Sequence, residues 1–132
     1  MPTDDTARTD LFQLDDLLSA EEREVRDRVR AFCDEHVLPI INDYWERSAF
    51  PHELIPRFGE VRVAGGSLQE HGCPGLTPLA EGLVAAELAR ADGGLRVFFV
   101  GHGLAMKSIG MLGSEEQRAR WLPRLSTMEA VG

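Results

Sequence analysis

The stretch "FFVGHGLAMKS", Phe98 to Ser108, decides between two folds. Set against the phosphate-loop pattern G-x-x-x-x-G-K-[ST], it places Gly101, Lys107 and Ser108 correctly and puts Met106 at the second glycine. A phosphate loop needs glycine there, because successive backbone N–H groups converge on the anion and a methionine side chain obstructs that approach. The competing reading is a buried helix. Val97, Phe98, Phe99 and Val100 suit either a strand feeding a loop or one apolar helical turn, and periodicity alone leaves both open. The rest of the chain selects the helix. A nucleotide-binding α/β domain needs several strands alternating with helices, and no other segment reads as a strand. Glycines at 101 and 103 lower helix propensity, so the spacing predicts that another backbone or a ligand presses close to them.

Outward from this stretch the punctuation is helical. Ser19-Ala20-Glu21-Glu22 is a capping box, in which the serine hydroxyl accepts an orphan amide and the glutamate reaches back to the cap. From it Val25, Val29, Phe32, Cys33, His36, Val37, Ile40, Ile41 and Tyr44 recur at steps of three and four, one apolar stripe of a long helix. Pro39 removes one ladder hydrogen bond and is expected to kink this helix without ending it. A turn at Phe50-Pro51 precedes a short helix with Pro56 near its start, which Gly65-Gly66 is expected to end. Thr77-Pro78 is an N-cap followed by proline at the first helical position, and Leu79, Leu83 and Ala86 continue that helix to Asp92. Gly93-Gly94 is expected to break the chain. A second capping box, Ser114 to Gln117, opens a helix carrying Trp121, Leu122 and Leu125. The reading is all-α, a helical bundle.

Composition bounds what such a bundle does. The chain has 132 residues, 43% hydrophobic and 27% charged, enough for one domain that buries roughly two thirds of its unfolded surface. A formal charge of -8, with no basic stripe, argues against nucleic acid as a partner. The N-terminus "MPTDDTARTDLF" lacks the layout of a signal peptide, and the uncharged run from Val97 to Met106 is about half a membrane span. The expectation is a cytoplasmic protein without membrane contact, with a flexible acidic tail over residues 1–10. Cys33 and Cys73 form no C-x-x-C pair and read as reduced thiols. His36, His52, His71 and His102 show no metal-ligand spacing.

The order of "LIPRFGEVRVAGG", the loop "GCPGL", "ELARADGGLR" from Glu87 to Arg96, and "GSEEQRARWLPRLSTMEAVG" from Gly113 to Gly132 resembles the N-terminal helical domain of the acyl-CoA dehydrogenases. Met128-Glu129 stands where that family shows "GE". The resemblance covers residues 11–132, and its loop "HGCPGLT" and turn "ADGGLR" look most like the glutaryl-CoA dehydrogenase branch. It implies oxidation of an acyl-CoA thioester between its α and β carbons, a glutamate removing the α proton and the flavin of FAD accepting the hydride. It also implies that the sheet domain and C-terminal helices, which supply most flavin contacts and the base, lie outside this chain. No catalytic residue is assigned, and tight FAD binding by this chain alone is not expected.

What the resemblance does carry over is the acyl pocket. Arg96 matches the arginine of the glutaryl branch's "DSGYRS", whose guanidinium meets the distal carboxylate of a dicarboxylic acyl group. Leu95 and Val97 replace the neighbouring tyrosine and serine, thinning the polar support. Phe99, Val100, His102, Gly103 and Leu104 are the accompanying pocket residues. Against this stand plainer readings: Asp92 and Arg96 as an i,i+4 ion pair, the apolar residues as core, His102 as a histidine satisfied by a neighbour, and Glu87 as the structural partner of an arginine. The expected partners are an acyl-CoA, a flavin-binding remainder or partner subunit, and further copies of the chain meeting on an exposed apolar face. The alternative is a non-catalytic helical interaction module.

Overall fold

The computed structural model describes residues 10–132. The expected flexible tail lies outside the described residues except for Asp10, whose carboxylate accepts the Leu14 and Asp15 amides of a 3-10 turn over Leu14–Leu17. Six α-helices follow: α1 Ala20–Phe32, α2 Ile41–Glu46, α3 Leu54–Val61, α4 Pro78–Ala91, α5 Gly93–Leu112 and α6 Glu115–Ser126. No strand occurs among the described residues, and Val97 to Val100 lie inside α5.

Local chemistry starts three of these helices as expected. Both capping boxes are closed, Ser19 with Glu22 and Ser114 with Gln117, and the Thr77 hydroxyl accepts the Ala80 amide ahead of Pro78. The apolar stripe that begins in α1 continues past its end, with Val25, Val29, Phe32, Cys33, Val37 and Ile41 buried and His36, Ile40 and Tyr44 half-buried. In α4 the buried set is Ala80, Val84, Glu87 and Leu88, one position on from the expected Leu79, Leu83 and Ala86. The buried Glu87 explains the slip, since its ion pairs turn a charged residue inward.

Three stops differ from expectation. Pro39 does more than kink: α1 ends at Phe32, Cys33–Val37 widens into a π turn closed by the Leu38 amide on the Cys33 carbonyl at 2.9 Å, and the helix restarts at Ile41. Having no N–H and a ring that crowds the preceding turn, proline leaves the ladder to re-form with wider spacing. Helix α3 ends before the glycines, at Arg62 in the left-handed region (φ 55°), while Gly65 and Gly66 shape the next loop at φ 90° and 49°. Asp92, not Gly93-Gly94, separates α4 from α5: its extended backbone terminates one helix and its side chain caps the other.

Packing then follows connectivity. Helix α1 lies along α4, α4 folds back on α5 across the single residue Asp92, and α6 packs on the far side of α5. Phe58, Leu54, Leu95, Met106, Leu122 and Val29 fill the interior, and the Phe58 ring meets Phe32 at 5.0 Å and Phe99 at 5.8 Å. No other backbone presses on Gly101 or Gly103 among the described residues. A Cβ on either would meet nothing within 4 Å, whereas one on Gly110 would strike Leu68 Cδ2 at 2.7 Å.

Candidate functional site

The hairpin of α4 and α5, with the loop after α3, encloses a mostly apolar cavity of about 210 Å³. Val63, Gly65, Gly66 and Leu76 come from the loop segments, Val84, Ala85 and Leu88 from α4, and Phe99, Val100, Gly103 and Leu104 from α5. Arg96 lines it from the early turns of α5, while Lys107 and Glu81 line it further along. Since α5 rises about 1.5 Å per residue, Arg96 and Lys107 stand roughly 16 Å apart along its axis. Five of the six residues read from the sequence as pocket residues therefore share one cavity.

His102 does not join them. It faces the opposite side of α5, fully buried, with Nε2 3.0 Å from the Leu125 carbonyl and Nδ1 accepting the Gly132 amide at 3.2 Å. The pair of contacts assigns the Nε2–H tautomer of a neutral ring. Burial pushes its pKa down, against an opposing pull from the Leu125 carbonyl.

The expected ion pair between Asp92 and Arg96 does not form. Both Asp92 oxygens are taken, Oδ2 by the Leu95 amide at 2.6 Å and Oδ1 by the Trp45 indole N–H at 2.6 Å. Both oxygens are thereby anchored, one over the first turn of α5 and one on α2, and neither meets the Arg96 guanidinium. The Arg96 guanidinium makes no hydrogen bond or ion pair among the described residues and presents its charge, solvent-accessible, at the cavity, while its backbone N–H donates to the Asp92 carbonyl at 3.1 Å.

The other charges here are matched. Lys107, which the phosphate-loop pattern had singled out, binds both oxygens of Glu81 at 2.9 and 3.0 Å. Glu81 also accepts the Ser67 amide at 2.7 Å. Burial pushes the Glu81 carboxyl up, and the Lys107 and Ser67 hydrogen bonds outweigh it, leaving the group below its ordinary value. Glu81 was not legible in the sequence, because its partner lies 26 positions away and only the hairpin register joins them. Glu87 is the structural partner expected: it accepts from Arg30 at 3.1 and 2.6 Å and from Arg90 at 2.9 Å. Neither carboxylate of α4 is thus free to act as a base.

Elsewhere, no group of three or more metal-ligating side chains occurs among the described residues. Both cysteines are free thiols, Cys33 buried with its pKa pushed up by burial to about 11. Helix α5 has the length and composition of a membrane-crossing segment, with mean hydropathy 1.2 over a window of which 17% is buried. Its exposed side carries Val97, Leu104 and Met111, exposed to 66%, 61% and 77%.

A family model described as acyl-CoA dehydrogenase, N-terminal domain, matches residues 19–129. The chain belongs to the acyl-CoA dehydrogenase family. This acyl-CoA dehydrogenase domain superposes on the crystal structure of a glutaryl-CoA dehydrogenase from Mycobacterium smegmatis in complex with FADH2 with a TM-score of 0.88 and 40% identity. That alignment covers 92% of this chain and 32% of that one. It is also 30% identical over 119 residues to a mitochondrial isovaleryl-CoA dehydrogenase of Pongo abelii, covering 87% of this chain and 28% of the relative. To a (2S)-methylsuccinyl-CoA dehydrogenase of Cereibacter sphaeroides it is 31% identical over 116 residues, 86% of this chain and 21% of the relative. The chain spans at most about a third of the length of these relatives.

Proposed function

We propose that this domain forms the acyl-binding wall of an FAD-dependent acyl-CoA dehydrogenase, acting on a short acyl thioester whose far end carries a carboxylate. The observation that carries this reading is Arg96: an unpaired guanidinium on an apolar cavity suits an occupant with an apolar body and an anionic terminus. The cavity walls would hold the acyl methylenes and exclude water, and Arg96 would fix which end points inward. The redox cofactor sits elsewhere. At about 210 Å³ the cavity is below the roughly 300–1,000 Å³ of drug-sized ligand pockets, and FAD is larger than such ligands. In this reading flavin and base are contributed by protein beyond these helices, which bind and orient the acyl group.

The exposed apolar face of α5 supports that placement, since a sheet domain packing there would cover Val97, Leu104 and Met111. The same face favours a second reading, a non-catalytic helical module that covers a partner's apolar surface, or pairs with another copy of itself.

Titration of the chain with glutaryl-CoA, isovaleryl-CoA and free CoA, read by thermal midpoint, separates the two. Glutaryl-CoA is expected to stabilise most and free CoA least, and Arg96→Gln to weaken the glutaryl-CoA effect about tenfold in Kd, roughly 1.4 kcal/mol. Equal stabilisation by free CoA and by the acyl-CoAs, or none at millimolar ligand, sinks the acyl-wall reading.

A further inference from the structure

We propose that the pocket between α2 and the start of α5 binds an alkylammonium group, with Asp92 as its counter-ion and the rings of Tyr44 and Trp45 as its walls. The site shares no lining residue with the acyl cavity and does not depend on the acyl reading.

The chain reversal after α2 builds it. Ser48, in the left-handed region at φ 50°, closes the helix: its amide donates to the Trp45 carbonyl at 3.1 Å and the Ala49 amide to the Tyr44 carbonyl at 3.0 Å. Phe50 and Pro51 are thereby folded back beside Tyr44 and Trp45, and these four residues border, with Asp92, a pocket of about 290 Å³.

Asp92 makes this pocket more than an apolar crevice. The residue is 7% exposed, yet its two oxygens accept only from neutral donors, the Trp45 indole and the Leu95 amide, and no cationic side chain pairs with it among the described residues. Arg96, one turn on, lines the other cavity. The positive end of α5 offsets about half an elementary charge. Buried charges are ordinarily paired, so the remainder calls for a cation from outside. A carboxylate has about four lone-pair sites, and the two neutral donors leave acceptors for ammonium N–H groups.

The aromatic walls suit the same occupant. A cation over a Trp or Tyr ring is held by the ring quadrupole, and the methylenes behind it gain apolar burial. The chain already uses this chemistry beside the pocket, where the Arg47 guanidinium stands 4.9 Å from the Tyr44 centroid. Glu53, which accepts from the Tyr44 hydroxyl, balances Arg47 and leaves Asp92 as the charge without a partner.

The test follows the Trp45 indole N–H by proton–nitrogen NMR while the full chain is titrated with butylammonium chloride. Butanol is the neutral control, and sodium chloride holds the ionic strength. A saturable shift at millimolar concentration is expected for butylammonium and none for butanol. Asp92→Asn removes the charge, keeps an oxygen for the Leu95 amide, and is expected to weaken binding about tenfold. Should that variant unfold, Tyr44→Leu leaves both Asp92 hydrogen bonds in place and is expected to weaken binding several-fold. N-acetyl-lysine methylamide binding as well as butylammonium supports a site for a partner's lysine, and its exclusion supports one for a free amine. No saturable shift in the wild-type chain, an equal response to butanol, or unchanged affinity in either folded variant overturns the proposal.

Discussion

The indole N–H of Trp45 and the amide of Leu95 divide the Asp92 carboxylate between them, each at 2.6 Å. Asp92 thereby ties α2 to the first turn of α5, the helix that carries Arg96. Asp92→Ala removes an N-cap and leaves the buried Leu95 amide without its acceptor. The expected loss is about 1–2 kcal/mol, read as a lowered urea midpoint at unchanged slope. Trp45→Phe is expected to cost less, about 0.5–1 kcal/mol, because the cap itself survives. A wild-type midpoint for Asp92→Ala would show that the cap contributes nothing.

Glu87 sits 7% exposed between Arg30 and Arg90. Burial pushes its carboxyl up, but hydrogen bonds from both arginines outweigh that and hold it below the ordinary 4.5. A depressed folded pKa means the stabilisation is complete above the unfolded value and is lost as pH falls through the folded one. Glu87→Gln is expected to cost about 3 kcal/mol at neutral pH, the low end for breaking a buried pair, because both arginines keep partial contact with water. Urea midpoints measured from pH 7 downward should converge for wild type and variant in acid. Parallel curves would deny Glu87 its part in the acid transition.

His102 titrates in a different window. Burial lowers its folded pKa below the ordinary 6.5, so the unfolded chain binds the proton more readily. Stability is expected to be full above about pH 6.5 and to decline as pH falls below it, before Glu87 protonates. The imidazole proton resonance of His102, followed by NMR, should titrate below that of a histidine in a denatured control. A midpoint at or above the control would contradict the buried neutral ring.

Val97, Leu104 and Met111 face solvent on one side of α5. Wild-type chain is expected to self-associate with rising concentration, and Val97→Glu/Met111→Lys, which leaves the cavity residues untouched, to sediment as a monomer. Sedimentation velocity across a hundredfold concentration range decides this. A wild-type chain that stays monomeric throughout would remove the argument for a partner on this face.

What the sequence disclosed and what it withheld divide by distance along the chain. The caps at Ser19, Thr77 and Ser114 were readable because each is closed by a residue three positions on. Met106 correctly spoke against a phosphate loop, since its bulk occupies the place where backbone must approach. Asp92 was within local reach yet was read as a partner for Arg96, because spacing alone does not say which of two nearby donors wins a carboxylate. Glu81 with Lys107, and Glu87 with Arg30, depend on helix register across 26 and 57 positions, which no local pattern encodes. Of the two readings open to His102, pocket residue or histidine satisfied by a neighbour, the second holds, and spacing could not decide it, because in an apolar helix the 3.6-residue period does not announce which face meets α6.

The widened turn at Cys33–Val37 spends one residue more than an ordinary α-helical turn. Deleting a single residue there would restore the ordinary ladder and leave the downstream residues near their present azimuth, since the wide turn and the ordinary turn each close about one revolution. Trp45 would keep its phase toward Asp92. The surplus position ahead of Pro39 is thus absorbed where it stands, and the tryptophan that steadies the arginine-bearing helix is insulated from it.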